Sequence, residues 1–242
     1  MKRILAIGGG GFMMEQEPSP IDDYILQLTA KDKPRICFVS TASGDLPEHI
    51  DKFYAVFSRF HCEPSHLAFF RAPGLNALTV DGFAKSLLSQ DAIFVGGGNT
   101  RAALAVWRER GVDLVLWEAL NLGVLLAGMS AGAMCWFECG LTDAFWQTGY
   151  RPLPGLGFLP GSCGVHYHRD VTRRARVHAA IEAGAVRAAT AIDDYAAVLF
   201  SDRVVERVVS WREGATAYRI VLEGGSVQEM AYPCEQIKID AS

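Results

Sequence analysis

The chain has 242 residues, half of them hydrophobic and 21% charged, which is the composition of a folded protein with a core large enough to need neither disulfides nor a structural metal. Lys and Arg total 23 against 27 Asp and Glu, a net charge of −4, and no basic run marks a nucleic-acid surface. The opening MKRILAIGGGGF is too short in apolar residues for a signal peptide, and no apolar run reaches the roughly 18 residues of a membrane span. A soluble, cytoplasmic protein is expected.

Short apolar runs at residues 3–7, 35–40, 66–70, 92–95 and 124–127 predict buried strands. Between them, residues 22–30, 48–60, 81–89, 100–110 and 114–121 carry the helical period, with Ser19-Pro20 and Asn99-Thr100 as helix starts. Strand alternating with helix predicts a mostly parallel sheet flanked by helices, an α/β fold. A further helix is expected after Ser130, which would put Cys135 and Cys139 on one helical face. Residues 152–161, rich in Pro and Gly, read as irregular, 172–183 as helix and 186–192 as strand. Strands at 197–200, 204–210, 217–222 and 226–231 then predict an antiparallel meander that finishes the same sheet or lies at its edge. No linker or repeat divides the chain, so one domain spanning 1–242 is expected. The six scattered cysteines predict reduced thiols, no zinc-like spacing is present, and neither metal nor cofactor is expected.

Three glycine-rich turns follow strands. Gly8-Gly9-Gly10-Gly11 lacks the spacing of a dinucleotide or phosphate loop and reads as a turn where backbone passes close to backbone. Val95-Gly96-Gly97-Gly98-Asn99-Thr100 runs straight into a helix, where freed backbone N–H groups favour an anion or a transient oxyanion. Gly128-Met129-Ser130-Ala131-Gly132 is GxSxG between an apolar strand and a helix, the context of a nucleophile elbow.

A serine nucleophile needs a base, and the base needs an orienting group. His49, His61 and His66 precede the nucleophile in helix, loop and strand, and His178 sits within a helical pattern. His166 and His168 remain, and if their segment is extended they share one face, with Tyr167 on the other. The residues leave the choice between these two open. Asp193-Asp194, at the end of a strand, reads either as a surface turn or as the source of the orienting carboxylate.

VGGGNT (95–100), GMSAGA (128–133), GSCGVHYHRDVTRRARVH (161–178) and AIDDYAAV (191–198), in that order, resemble the peptidase E family of serine peptidases, which includes the cyanophycinases. ILAIGGGGF and FVSTASGD (38–45) add to a likeness over nearly the whole chain. The order Ser, His, acid also separates it from the α/β-hydrolases, whose acid precedes the His. The resemblance implies a flavodoxin-like, class I glutamine amidotransferase-like fold, with Ser130 as nucleophile and His166 as base. The family's acid, usually Glu, falls on Asp194; Asp193 is the fallback, and an older family assignment makes Asp143 a third candidate. Gly98 and Ala131 match the oxyanion-hole donors. Arg173 matches the first Arg of a TRxxR stretch that binds a substrate Asp side chain in the family's aspartyl dipeptidases, and Asn99 is a second candidate substrate contact.

The expectation is a serine peptidase cleaving short peptides, with N-terminal Asp preferred, through an acyl-enzyme on Ser130. The alternatives are a cyanophycinase-like or other amide hydrolase, or a non-catalytic binding protein of the same fold. A glutaminase is disfavoured because that scaffold carries Cys at the elbow. The expected partner is a small peptide, with neither nucleic acid nor membrane, and assembly as a homodimer stands open.

Overall fold

The computed structural model describes residues 1–70, 80–145, 149–169 and 171–238, so Asp170 of the 161–178 stretch lies outside the described residues. In chain order the first half comprises β1 (Arg3–Ile7), α1 (Pro20–Leu28), β2 (Arg35–Val39), α2 (Pro47–Phe57), β3 (Glu63–Leu67), α3 (Val80–Leu88), β4 (Ala92–Val95), α4 (Thr100–Arg110) and α5 (Val112–Asn121). Then follow β5 (Leu125–Met129), α6 (Ala131–Met134), β6 (Phe137–Thr142), β7 (Arg151–Pro154), β8 (Leu159–Val165) and α7 (Val171–Glu182). The chain finishes with β9 (Ala188–Ile192), β10 (Ala196–Ser201), β11 (Val204–Ser210), β12 (Ala217–Glu223), β13 (Ser226–Ala231) and β14 (Cys234–Gln236).

These strands form two sheets. The larger runs β14-β11-β10-β1-β5-β4-β2-β3, parallel from β1 through β3 and antiparallel where β10 joins β1 and β11 joins β10. Period-two alternation splits its apolar residues between two cores. Ile4, Ala6, Cys37 and Val39 pack on one face, while Leu5, Ile7, Ile36 and Phe38 pack on the other. Both faces are covered, which is why these strands read as unbroken apolar runs. The second sheet runs β13-β12-β9-β8-β6-β7. Phe137, Leu159, Cys163, Val165 and Ile192 of that sheet join the first of the two cores, together with Ala131, Ala133 and Met134 of α6. The short helix after β5 therefore packs where the two sheets meet.

Several expectations are corrected. The C-terminal meander is shared out: β10 and β11 extend the first sheet, but β12 and β13 belong to the second. Cys135 and Cys139 do not share a helix, because α6 ends at Met134 and Cys139 lies on β6. The stretch 152–161 is not irregular: β7 and the start of β8 occupy most of it. Pro152 and Pro154 are tolerated because β7 is an edge strand, where a missing N–H breaks no inner ladder. The third strand lies three residues earlier than its apolar run, at Glu63–Leu67, since an edge strand can be polar and half-exposed.

All six cysteines are free, with Cys37, Cys62, Cys135 and Cys163 buried. Burial pushes the thiols of Cys37 and Cys62 up to about 12 and about 11. They are protonated core residues and not nucleophiles.

Candidate active site

β1, β4 and β5 are neighbours in the sheet, and each ends in one of the glycine-rich turns. The carboxyl ends of parallel strands are where α/β sheets build sites. Ser130 follows β5 with φ 56° and ψ −111°, a backbone conformation that a non-glycine residue adopts only when its surroundings enforce it. Here its N–H donates to Ile7 O at 3.0 Å, and its own carbonyl accepts from the N–H groups of Ala133 and Met134 in α6. Glycine makes the turn sterically feasible. A Cβ on Gly128 would lie 2.2 Å from Gly132 O, and one on Gly132 would lie 2.2 Å from Val95 O.

The turn aims the Ser130 hydroxyl at His166, with Oγ 2.8 Å from Nε2. His166 follows β8, has φ 54° and is buried. Its Nδ1 is hydrogen-bonded to Asp194 Oδ1 just beyond β9. Because a carboxylate only accepts, Nδ1 carries the proton and Nε2 is left to accept from the serine. Ser, imidazole and carboxylate thus form one hydrogen-bonded line.

The competing candidates are held elsewhere. The backbone is not extended through His168, since His166 turns into the left-handed region. His168 Nδ1 bonds Asp193 Oδ1 at 2.9 Å, and that carboxyl also accepts from the N–H groups of His168 and Thr216. Burial raises the Asp193 carboxyl above its usual range against those hydrogen bonds. Asp143 does not meet His166; its partner is Arg173.

The first glycine turn, read from sequence as close backbone passage, backs this line directly. Gly9 bridges to Asp194, Tyr195 N–H donates to Gly9 O at 2.7 Å, and a Cβ on Gly9 would lie 2.0 Å from Asp194 Oδ1 and 2.8 Å from His166 Nδ1. This tie between the first turn and the His–Asp pair was missed from sequence, whose only trace of it was the glycine run.

The sequence model of peptidase family S51 matches residues 4–208. The chain belongs to peptidase family S51. A Bacillus subtilis (strain 168) protein named uncharacterized peptidase YgaJ is 41% identical over 237 residues, covering 98% of this chain and 100% of that protein. A solved peptidase from an acI-B1 Actinobacterium matches with TM-score 0.60 at 14% identity, over 95% of this chain and 94% of that one. A Listeria monocytogenes EGD-e protein assigned to peptidase E matches with TM-score 0.57 at 16% identity, over 96% of this chain and 100% of that one. Family S51 makes the chain a peptidase, and the solved relatives share its mixed α/β fold with a mostly parallel sheet. No helix among the described residues is long and apolar enough to cross a membrane.

In this S51 peptidase the N–H groups of Gly98 and Ala131 donate to no acceptor among the described residues. Gly98 has φ 139°, and a Cβ there would lie 2.2 Å from Ala42 O, the atom that accepts from Asn99 N–H at 2.7 Å. The turn around Ala42 is a platform for the glycine loop. It is held by buried Asp45, whose carboxylate accepts from Ser40 Oγ at 2.8 Å and from Phe69 and Phe70 N–H. From Gly98 an open cleft of about 660 Å³ extends past Asn99, Arg101, Ala102, Ala105, Asp143 and Ala144. Asn99 Oδ1 caps α4 by accepting from Ala102 N–H at 3.0 Å, and its amide nitrogen remains as a donor for a ligand. Arg173, on α7, has Nη2 3.3 Å from Asp143 Oδ2 and so meets the cleft through one of its lining residues.

Proposed function

We propose that this S51 peptidase is a serine peptidase that cleaves dipeptides with N-terminal Asp through an acyl-enzyme. The observation that carries the reading is the hydrogen-bonded line from Ser130 through His166 to Asp194, starting from a serine in an enforced backbone conformation. Ser130 Oγ attacks the scissile carbonyl carbon while its proton passes to His166 Nε2. The Gly98 and Ala131 N–H groups take the resulting oxyanion, a contribution of about 2.7–4 kcal/mol per donor. The imidazolium, stabilised by Asp194, gives its proton to the leaving amine. Water then attacks the acyl-enzyme with His166 again as base.

Selectivity follows from Arg173, whose planar guanidinium can grip the substrate's β-carboxylate bidentately where a lysine could not. A fluorophosphonate probe and a pair of dipeptides test both halves. The wild-type chain should label, Ser130→Ala should not, and Asp-Leu should be hydrolysed faster than Ala-Leu by orders of magnitude. Arg173→Met should erase that preference while leaving labelling intact. A folded wild-type chain that never labels overturns the serine mechanism; equal cleavage of Asp-Leu and Ala-Leu overturns the aspartyl preference alone.

A further inference from the structure

Asp143 follows β6, lines the cleft that begins at Gly98, and has a side chain 62% exposed. It takes no part in the line through His166, and its charge partner is Arg173, 3.3 Å away across a contact longer than the usual charged hydrogen bond. An accessible carboxylate on the cleft wall and a guanidinium therefore stand side by side. We propose that Asp143 binds the α-ammonium group of the substrate, so that the Arg173–Asp143 pair recognises a free N-terminal aspartate by both of its charges. This rests on the reading of Arg173 as the contact for the substrate's β-carboxylate.

The charges are complementary. An N-terminal Asp residue carries its ammonium and its β-carboxylate on adjacent carbons, the reverse pattern of the protein's pair. Docking sets Arg173 against the β-carboxylate and Asp143 against the ammonium, so that each member of the pair meets an opposite charge. An internal Asp residue has an amide in place of the ammonium and would strand the Asp143 carboxylate. The same residue therefore confines cleavage to a free N-terminus.

Calorimetry on Ser130→Ala, which can bind without turnover, tests this with Asp-Leu, N-acetyl-Asp-Leu and Ala-Leu. Asp-Leu should bind roughly ten- to a hundredfold more tightly than its acetylated form, the range of a hydrogen bond between charged groups. Adding Asp143→Asn should shrink that gap to about threefold or less, and Asp143→Glu should restore most of it. A gap that is absent, or that survives Asp143→Asn, overturns the proposal, as does failure of Asp-Leu to bind. Equal binding of Asp-Leu and Ala-Leu with the acetyl gap intact would overturn the role of Arg173 and support that of Asp143.

Discussion

Gly9 is placed so that a single added methyl would strike both members of the His166–Asp194 pair. Its ideal Cβ would fall 2.0 Å from the Asp194 carboxylate, closer than any side chain can tolerate. Gly9→Ala should therefore lower kcat roughly a hundredfold or more by parting carboxylate and imidazole. Steady-state kinetics on Asp-Leu reads this, and a variant within tenfold of wild type would show the pair to be less tightly packed. The neighbouring acids separate in the same assay. Asp194→Asn should cost roughly a thousandfold in kcat, because a neutral amide neither stabilises imidazolium nor keeps its tautomer. Asp193→Asn and His168→Ala should retain most of the rate, since these two bond each other and not His166. A reversed order would move base and orienter to the second pair.

At the scale of elements, α1 carries a buried acid whose ionisation couples a helix start to the first glycine turn. Asp22 is fully buried, accepts from Phe12 and Ser19 N–H at 3.1 and 2.9 Å, and is pushed up to about 7, chiefly by desolvation. A carboxyl raised in the folded state binds its proton more tightly there than in the unfolded chain. Its contribution to stability is therefore full below about pH 4 and falls as pH rises to about 7, by at most about 1.4 kcal/mol per pH unit. The stability difference between wild type and Asp22→Asn, from urea titrations at pH 5 and pH 8, should thus shift against wild type at the higher pH. A pH-independent difference would mean that the two backbone donors offset the burial. The elbow depends on close approach in the same way. Gly132→Ala meets the Val95 carbonyl at 2.2 Å and should cost about 1–3 kcal/mol in the same titration by prising α6 from β4.

Across the whole molecule, the C-terminal hairpin reaches back to the site although it lies outside the residues matched by the family model. Glu229 on β13 accepts from Tyr167 Oη, adjacent to His166, and is bonded to Arg174 and His178 on α7, the helix that carries Arg173. Burial alone would raise its carboxyl, but these hydrogen bonds outweigh it and hold the group below its usual range. Glu229→Ala removes the one acceptor that Tyr167, Arg174 and His178 share and should cost about 1–3 kcal/mol of stability. It should also reduce kcat/KM on Asp-Leu, since the segments bearing His166 and Arg173 lose a common anchor. Unchanged kinetics in a destabilised variant would limit the hairpin to a scaffold role.

Local patterning determined much of this protein. Apolar runs and helical periods located β1, β2, β4 and β5 and the helices between them, because strands covered on both faces and amphipathic helices each write their burial into the sequence. The GxSxG turn and the second glycine turn were legible for a related reason: only glycine permits approaches of 2.2 Å between a would-be Cβ and a carbonyl. Sequence could not say that the chain builds two sheets, because the strands of both share the same alternation and differ only in which neighbour they pair with. Nor could it choose between His166 and His168, or between Asp193 and Asp194, without the family resemblance. Those residues lie one or two positions apart, and the choice turns on a left-handed residue at the end of β8 and on the Gly9 backbone beside Asp194. Such partnerships span most of the chain, and only the packing of β1 between β5 and β10 brings them within a hydrogen bond.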